Sequence, residues 1–299
     1  MKPLQRLKLL KKQPLSKFKT MNEPLGSDVA EGFIRLRGTI AYDGRNFSGW
    51  GMQPDRRTVQ GELEEVFAQL MRTDRLVITC AGRTDAGVHS VGQVFHIDVP
   101  ADRYPGRQDM MYKLNAILSE DVSITDIDIA PDGFDARFSA LSRSYTYLIN
   151  DGVRNPVMRR HIYNYGWKLD VDLMAAAAQH LLGLHDYAAF CKQKEFATTI
   201  REVQEMAVYR DDDGVIHFDI TADAFCYSMV RAIVGALVDV GAGRRDPSWV
   251  GDYLAGKAKM PAVFVAPALG LTFMKVTYPT DDQLAARILE TKHSRDGSR

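Results

Sequence analysis

Apolar and polar residues alternate from 33 to 42, with Phe33, Ile34, Leu36 and Ile40 set against Arg35, Arg37 and Thr39. That is the period of a β-strand. Asp43-Gly-Arg-Asn46 turns the chain into a short aromatic stretch, Phe47-Ser-Gly-Trp50, and Gln53-Pro54 opens a loop. The period then lengthens. Val59, Leu63, Val66, Phe67 and Leu70 recur at helical spacing behind Thr58, an N-cap residue, with Glu62 in the first turn. The apolar run 76–79 predicts a buried strand, and 93–99 predicts another, with Val94, His96 and Asp98 opposed to Phe95, Ile97 and Val99. Met110, Leu114, Ile117 and Leu118 predict a helix over 109–118, and Val122, Ile124, Ile127 and Ile129 a strand over 122–129. Strand, helix and strand in this order predict a split β-α-β unit. Its helices would pack on one face of a mainly antiparallel sheet, leaving the other face to a ligand.

The same order recurs from about residue 160. Residues 161–167 read as a strand, and Asp170 or Asp172 caps a helix over 173–182 that Gly183 ends. His185 reads as a local hydrogen-bonding residue. Residues 199–210 and 215–222 form a hairpin across Asp211-Asp-Asp-Gly214. The segment 225–240 is apolar nearly all round, which predicts a buried helix, yet it carries Arg231, and a buried cation must be paired. A short helix over 250–256 and a loop over 266–273 lead to a last strand ending near Tyr278. The pattern predicts an α+β fold of two ferredoxin-like domains, 31–140 and 141–280, facing each other across a cleft. A basic extension, 1–30, precedes them without fixed structure, and a polar tail, 281–299, follows.

Composition narrows the classes. The 299 residues are 45% hydrophobic, ordinary for a globular chain, and carry 38 basic and 38 acidic side chains. With no net charge, a polyanion partner requires arginines gathered on one face. The first twenty residues hold Lys and Arg without an acid, either a dispensable tail or a supplementary RNA-binding arm. Cys80, Cys191 and Cys226 lie far apart without metal-ligand spacing. Their odd number predicts no disulfide framework and a reducing, cytoplasmic setting. No apolar run approaches the ~18 residues of a membrane span.

Two stretches carry residues able to do chemistry. In Cys80-Ala-Gly-Arg-Thr-Asp-Ala-Gly-Val-His-Ser90, Gly82 and Gly87 bracket Arg83, Thr84 and Asp85 between two strands. Asp before Ala-Gly is also an ordinary turn former. In 134–150, Asp135-Ala-Arg-Phe-Ser-Ala140 precedes Ser142-Arg-Ser-Tyr-Thr-Tyr-Leu-Ile149, with Tyr145, Tyr147 and Ile149 on one side of a strand. Its tyrosines suit a strand for packing alone. They also suit a flipped base, with Arg137 and Arg143 offered to phosphate.

Ala-Gly-Arg-Thr-Asp-Ala-Gly-Val-His, followed by Gly92-Gln93-Val94, resembles the signature of the tRNA pseudouridine synthase A (TruA) family. Ala-Arg-Phe-Ser-Ala with its basic-aromatic strand, Met229-Val-Arg-Ala-Ile-Val-Gly235 and Ala266-Pro-Ala-Leu-Gly-Leu-Thr-Phe273 are similar to further motifs of that family, in order over 33–278. The resemblance implies the pseudouridine synthase fold and isomerisation of uridine to pseudouridine at positions 38, 39 and 40 of the tRNA anticodon stem-loop. It further implies a homodimer with no cofactor, no metal and no membrane. It assigns Asp85 as the catalytic aspartate, Arg83 to base flipping, Tyr145 to stacking on the target base, and Arg231 to pairing with Asp85. Arg137, Arg143, Tyr147, His89, Gln93, Arg56 and Arg57 are the candidate substrate-binding residues. Arg154, Arg159, Arg160, Arg244 and Arg245 are further candidate RNA contacts.

The residue types suit that reaction. The base must leave its stack to turn, a carboxylate can act as nucleophile or base, and an aromatic ring can hold the detached uracil. Attack at C1′, attack at the uracil ring and proton removal at C2′ remain open. The chain departs from the family pattern at Ser90-Val91, where smaller residues are expected, and over 224–228, where a Gly and a His are common. The competing readings are a synthase for other RNA or other tRNA positions, an RNA-binding module without the reaction, and a phosphate-binding enzyme of small molecules. The last would need the glycine loop to enter a helix, and here it enters a strand.

Overall fold

The computed structural model describes residues 29–157, 160–192, 198–256 and 263–293. All but the last two residues of the basic extension, and Arg159, lie outside them. Among the described residues ten strands form one mixed sheet: β1 (Phe33–Tyr42), β2 (Ile78–Cys80), β3 (His89–Pro100), β4 (Val122–Ile129), β5 (Ser142–Asn150), β6 (Tyr163–Asn164), β7 (Gly183–Asp186), β8 (Ile200–Arg210), β9 (Ile216–Ala222) and β10 (Leu271–Thr277). The order is β4-β1-β3-β10-β5-β9-β8-β7, with β2 beside β3 and β6 beside β5. Pairing is antiparallel except at β3–β10 and β5–β6. Among the same residues six α-helices flank the sheet: α1 (Val59–Met71), α2 (Arg107–Ile117), α3 (Val171–Ala178), α4 (Met229–Gly241), α5 (Ser248–Leu254) and α6 (Leu284–His293).

Caps set the helix starts. Thr58 accepts from the Gly61 amide at the head of α1, and Asp170, rather than Asp172, accepts from Leu173 at the head of α3. Leu36, Ile40 and Tyr42 of β1 bury against α1 and α2 together with Phe95, Ile97 and Val99 of β3. Tyr145, Tyr147 and Ile149 of β5 and Ile216, Phe218 and Ile220 of β9 bury against α3 and α4. The same strands turn polar pairs to the opposite face, Thr146 to Asp219 and Ser144 to Thr221.

That opposite face is not left open as the pattern predicts. Over the N-terminal strands it is covered by 130–140 and by α6. Leu284 of α6 packs with Val94, Phe134 and Ala136, and Thr291 donates to the Phe138 carbonyl. Four local expectations also change. A bulge at Thr125 lets Ile124 and Ile127 both face the core, while Ile129, the last residue of β4, is exposed. The strand expected over 161–167 shrinks to Tyr163–Asn164. The helix expected from 173 to 182 ends at Ala178 and runs on as a 3₁₀ turn to Leu181, before Gly183 at φ +94°. The helix expected from residue 225 begins only at Met229.

Cys191 and Cys226, expected to be unpaired, are joined as a disulfide with their Cα atoms 5.7 Å apart. Their separation of 35 residues hides a proximity that only the fold creates. Cys80 is free, and burial pushes its thiol up to about 12.

Candidate active site

The loop residues 81–88 lie where the two halves of the sheet meet, at the short parallel contact of β3 with β10. Ser90 finds its use there. Its hydroxyl donates to the Phe273 carbonyl and accepts from the Gly92 and Gln93 amides, and a side chain at 92 would collide with the Met274 carbonyl. The loop is clamped from several sides. The Gln93 amide group bonds both the N–H and the C=O of Gly82. The Tyr42 and Thr84 hydroxyls share a bond of 2.8 Å, and the Trp50 amide donates to the Thr84 carbonyl at 3.0 Å. Gly49, at φ +99°, lets this approach occur, since a Cβ there would lie 2.9 Å from that carbonyl. The aromatic stretch 47–50 is therefore a buried support for the loop.

Held this way, Asp85 meets the start of α4. Arg231 donates to Asp85 Oδ2 at 3.2 Å, and the Ser228 hydroxyl donates to the same oxygen at 3.0 Å. Both members of the ion pair keep about a fifth of their side-chain surface exposed, 18% for Asp85 and 20% for Arg231. Arg231 is thus half-buried and paired, and its Nε is fixed by the Ala266 carbonyl at 2.7 Å. α4 can come that close to 263–266 because Gly235 has no side chain, a Cβ there falling 1.7 Å from the Phe264 carbonyl. Among the described residues Asp85 Oδ1 accepts no hydrogen bond, so one carboxylate oxygen is held by two donors and the other by none.

Tyr145 is buried within electrostatic reach of this carboxylate. Its ring stands edge-on to Phe225 at 5.0 Å and to Phe273 at 4.9 Å, which fixes its plane. Burial raises its hydroxyl above the ordinary tyrosine range, and the Asp85 charge acts in the same direction, so the phenol stays protonated. Arg83 is exposed, its stem running past Gly51. Arg56 and Arg137 are exposed too, Arg137 resting over the Phe138 ring.

Five other residues expected to meet substrate make hydrogen bonds within the chain, although among the described residues His89 Nε2 is buried without one. Arg143 is buried and donates to the carbonyls of Ala81, Arg137 and Asp223. Tyr147 donates to the Pro267 carbonyl, and Gln93 is the loop clamp. Arg57 binds Asp121, Glu62 and Ser119 and covers the Phe47 ring. His89 accepts the Gly44 amide at Nδ1, and burial, with His161 beside it, lowers its pKa. The ring is neutral, so its 3.2 Å approach to Asp43 is not an ion pair. Ser228, Phe225 and the Ala266 carbonyl join the site without having been singled out by pattern. The signals for them were the departure of 224–228 from the family motif and the likeness of 266–273 to it.

Comparison with known proteins identifies the family. A family model described as tRNA pseudouridine synthase matches residues 177–279, the stretch holding Ser228 and Arg231. The chain is 46% identical over 277 residues to the tRNA pseudouridine synthase A of Streptomyces avermitilis, covering 91% of this chain and 97% of that one. It is 48% identical over 269 residues to that of Frankia casuarinae, covering 89% and 97%. To that of Mycobacterium leprae it is 44% identical over 277 residues, covering 88% and 96%. The chain therefore belongs to the tRNA pseudouridine synthase A family.

Proposed function

We propose that this chain isomerises uridine to pseudouridine at positions 38, 39 and 40 of the tRNA anticodon stem-loop, with Asp85 as the reacting carboxylate. The observation that carries the reading is the carboxylate itself, held through one oxygen by Arg231 beside a ring fixed in plane. In the reaction the N1–C1′ bond breaks, the C5–C1′ bond forms, a proton leaves C5 and one is gained at N1. The atoms balance without an oxidant or water, so the step asks only for a base or nucleophile, a cradle for the free uracil and a way to flip it. Asp85 Oδ1 supplies the first and the Tyr145 edge the second. Arg83, which is exposed, would fill the space a flipped base leaves.

The test is tritium release from tRNA transcripts labelled at uridine C5, with the product mapped by position. Release confined to label at 38, 39 and 40 is expected. Release from other positions would give the enzyme a different substrate, and binding without release from any transcript would make it an RNA-binding module.

The proposal includes a homodimer. A chain with no net charge offers a polyanion few surplus cations, and a second copy doubles the exposed arginines along one RNA. Val153, Val157 and Trp167 also present exposed apolar surface on the segment between β5 and α3. Light scattering at micromolar concentration is expected to give about twice the 33.5 kDa chain mass. A monomer mass would refute the dimer.

A further inference from the structure

Ser228 occupies the position before the first residue of α4, where a serine ordinarily holds extended backbone and turns its oxygen onto the amides of the first turn. Here it does neither. Its backbone is left-handed, φ 62° and ψ 10°, and its side chain makes no cap bond. A non-glycine residue in that region is strained, and a glycine would hold the same backbone at less cost. What serine adds is the hydroxyl, and the left-handed turn delivers it to Asp85 Oδ2 at 3.0 Å. Two further bonds set the turn, from the Met229 amide to the Cys226 carbonyl and from the Ala232 amide to the Ser228 carbonyl.

We infer that Ser228 is a positioning residue for Asp85, resting on the reading of Asp85 as the reacting carboxylate. Arg231 reaches Oδ2 from the first turn of the helix, and Ser228 reaches it from the turn before. Two donors from different directions fix the carboxylate plane as well as its position, which one donor alone leaves free to rotate. The strain at 228 is thus part of the site: it turns a helix-capping residue into a support for the carboxylate. The hydroxyl is spent on Asp85, so its loss is expected to fall on turnover rather than on binding.

Ser228→Gly removes the hydroxyl and relieves the backbone. Ser228→Asn keeps a side-chain donor in a residue that tolerates left-handed backbone. Each is compared with wild type by thermal midpoint and by kcat and KM for tritium release. We expect the glycine variant to melt no lower than wild type, with KM within about twofold and kcat lower by roughly 10- to 100-fold, the scale of one hydrogen bond to a charged group. The asparagine variant is expected to recover most of that loss. A purely structural serine predicts the reverse order, glycine active and asparagine impaired. If wild type is active and the glycine variant keeps kcat within twofold, the inference is overturned while the proposed function stands. If wild type releases no tritium from any tRNA, the proposed function falls and the inference falls with it.

Discussion

Asp85→Asn is expected to lower kcat for tritium release by ~10³-fold or more while tRNA affinity stays within a few-fold of wild type. The substitution changes almost nothing in shape. The amide oxygen can still accept from Ser228 and Arg231, the two donors now on Oδ2. What is lost is the anionic oxygen that attacks or takes a proton, and removing a nucleophile or base of this kind typically costs 10²–10⁴-fold or more. Single-turnover kinetics beside filter binding on the same transcript would separate chemistry from affinity. Turnover within tenfold of wild type would remove Asp85 from the reaction and leave its contact with Arg231 as a structural ion pair.

The largest expected effect on stability lies away from the site, at Asp151. Its carboxylate has no exposed surface and takes two bonds from Arg210, at 2.8 and 2.9 Å, one from the Leu169 amide and one from Lys168. These tie the end of β5 to the entry of α3 and the tip of the β8–β9 hairpin. Breaking a fully buried pair costs about 3–5 kcal/mol. Arg210 keeps 30% of its side chain exposed and can rehydrate, so Asp151→Ala is expected to cost about 2–3 kcal/mol after that discount. The thermal midpoint should fall by about 5–10 °C, with kcat of the folded variant unchanged.

The effect has a sign in pH. Burial works against the charge on Asp151, but the bonds from Arg210, the Leu169 amide and Lys168 outweigh it and hold the carboxyl well below the usual carboxylate range. A carboxylate with a depressed folded pKa contributes fully above its unfolded value, about 4, and loses that contribution as pH falls through the folded one. The difference in urea midpoint between wild type and Asp151→Ala should therefore be constant at neutral pH and narrow below about pH 4. Curves that stay parallel down to pH 2 would sink this account.

Much of the chain's organisation was legible from period alone. Strand β1, helices α1 and α2, the β8–β9 hairpin and the buried helix α4 all follow from which positions are apolar and from capping residues such as Thr58 and Asp170. These are local choices, made by side chains within a few residues of one another. The loop holding Asp85 was also legible, through its bracketing glycines and its likeness to a known signature. Period misleads where an extra residue shifts the phase, as at Thr125, and where a special backbone angle delays the start of a helix, as at Ser228.

By itself, then, the sequence determined the elements, their order and the residue types available for chemistry, because burial period and turn propensity act over short stretches. Only the tertiary structure decided which distant segments those elements meet. It placed α6 over the face opposite the helices, joined Cys191 to Cys226, turned Arg143 inward onto three carbonyls and set Ser228 and Arg231 on one oxygen of Asp85. Each of these links residues about 35 to 190 apart or hinges on a single backbone angle, with the exception of the Arg143–Arg137 bond. A hydrogen bond forms between groups brought within about 3 Å, and nothing in the spacing of residues along a chain states which groups the packing will bring that close.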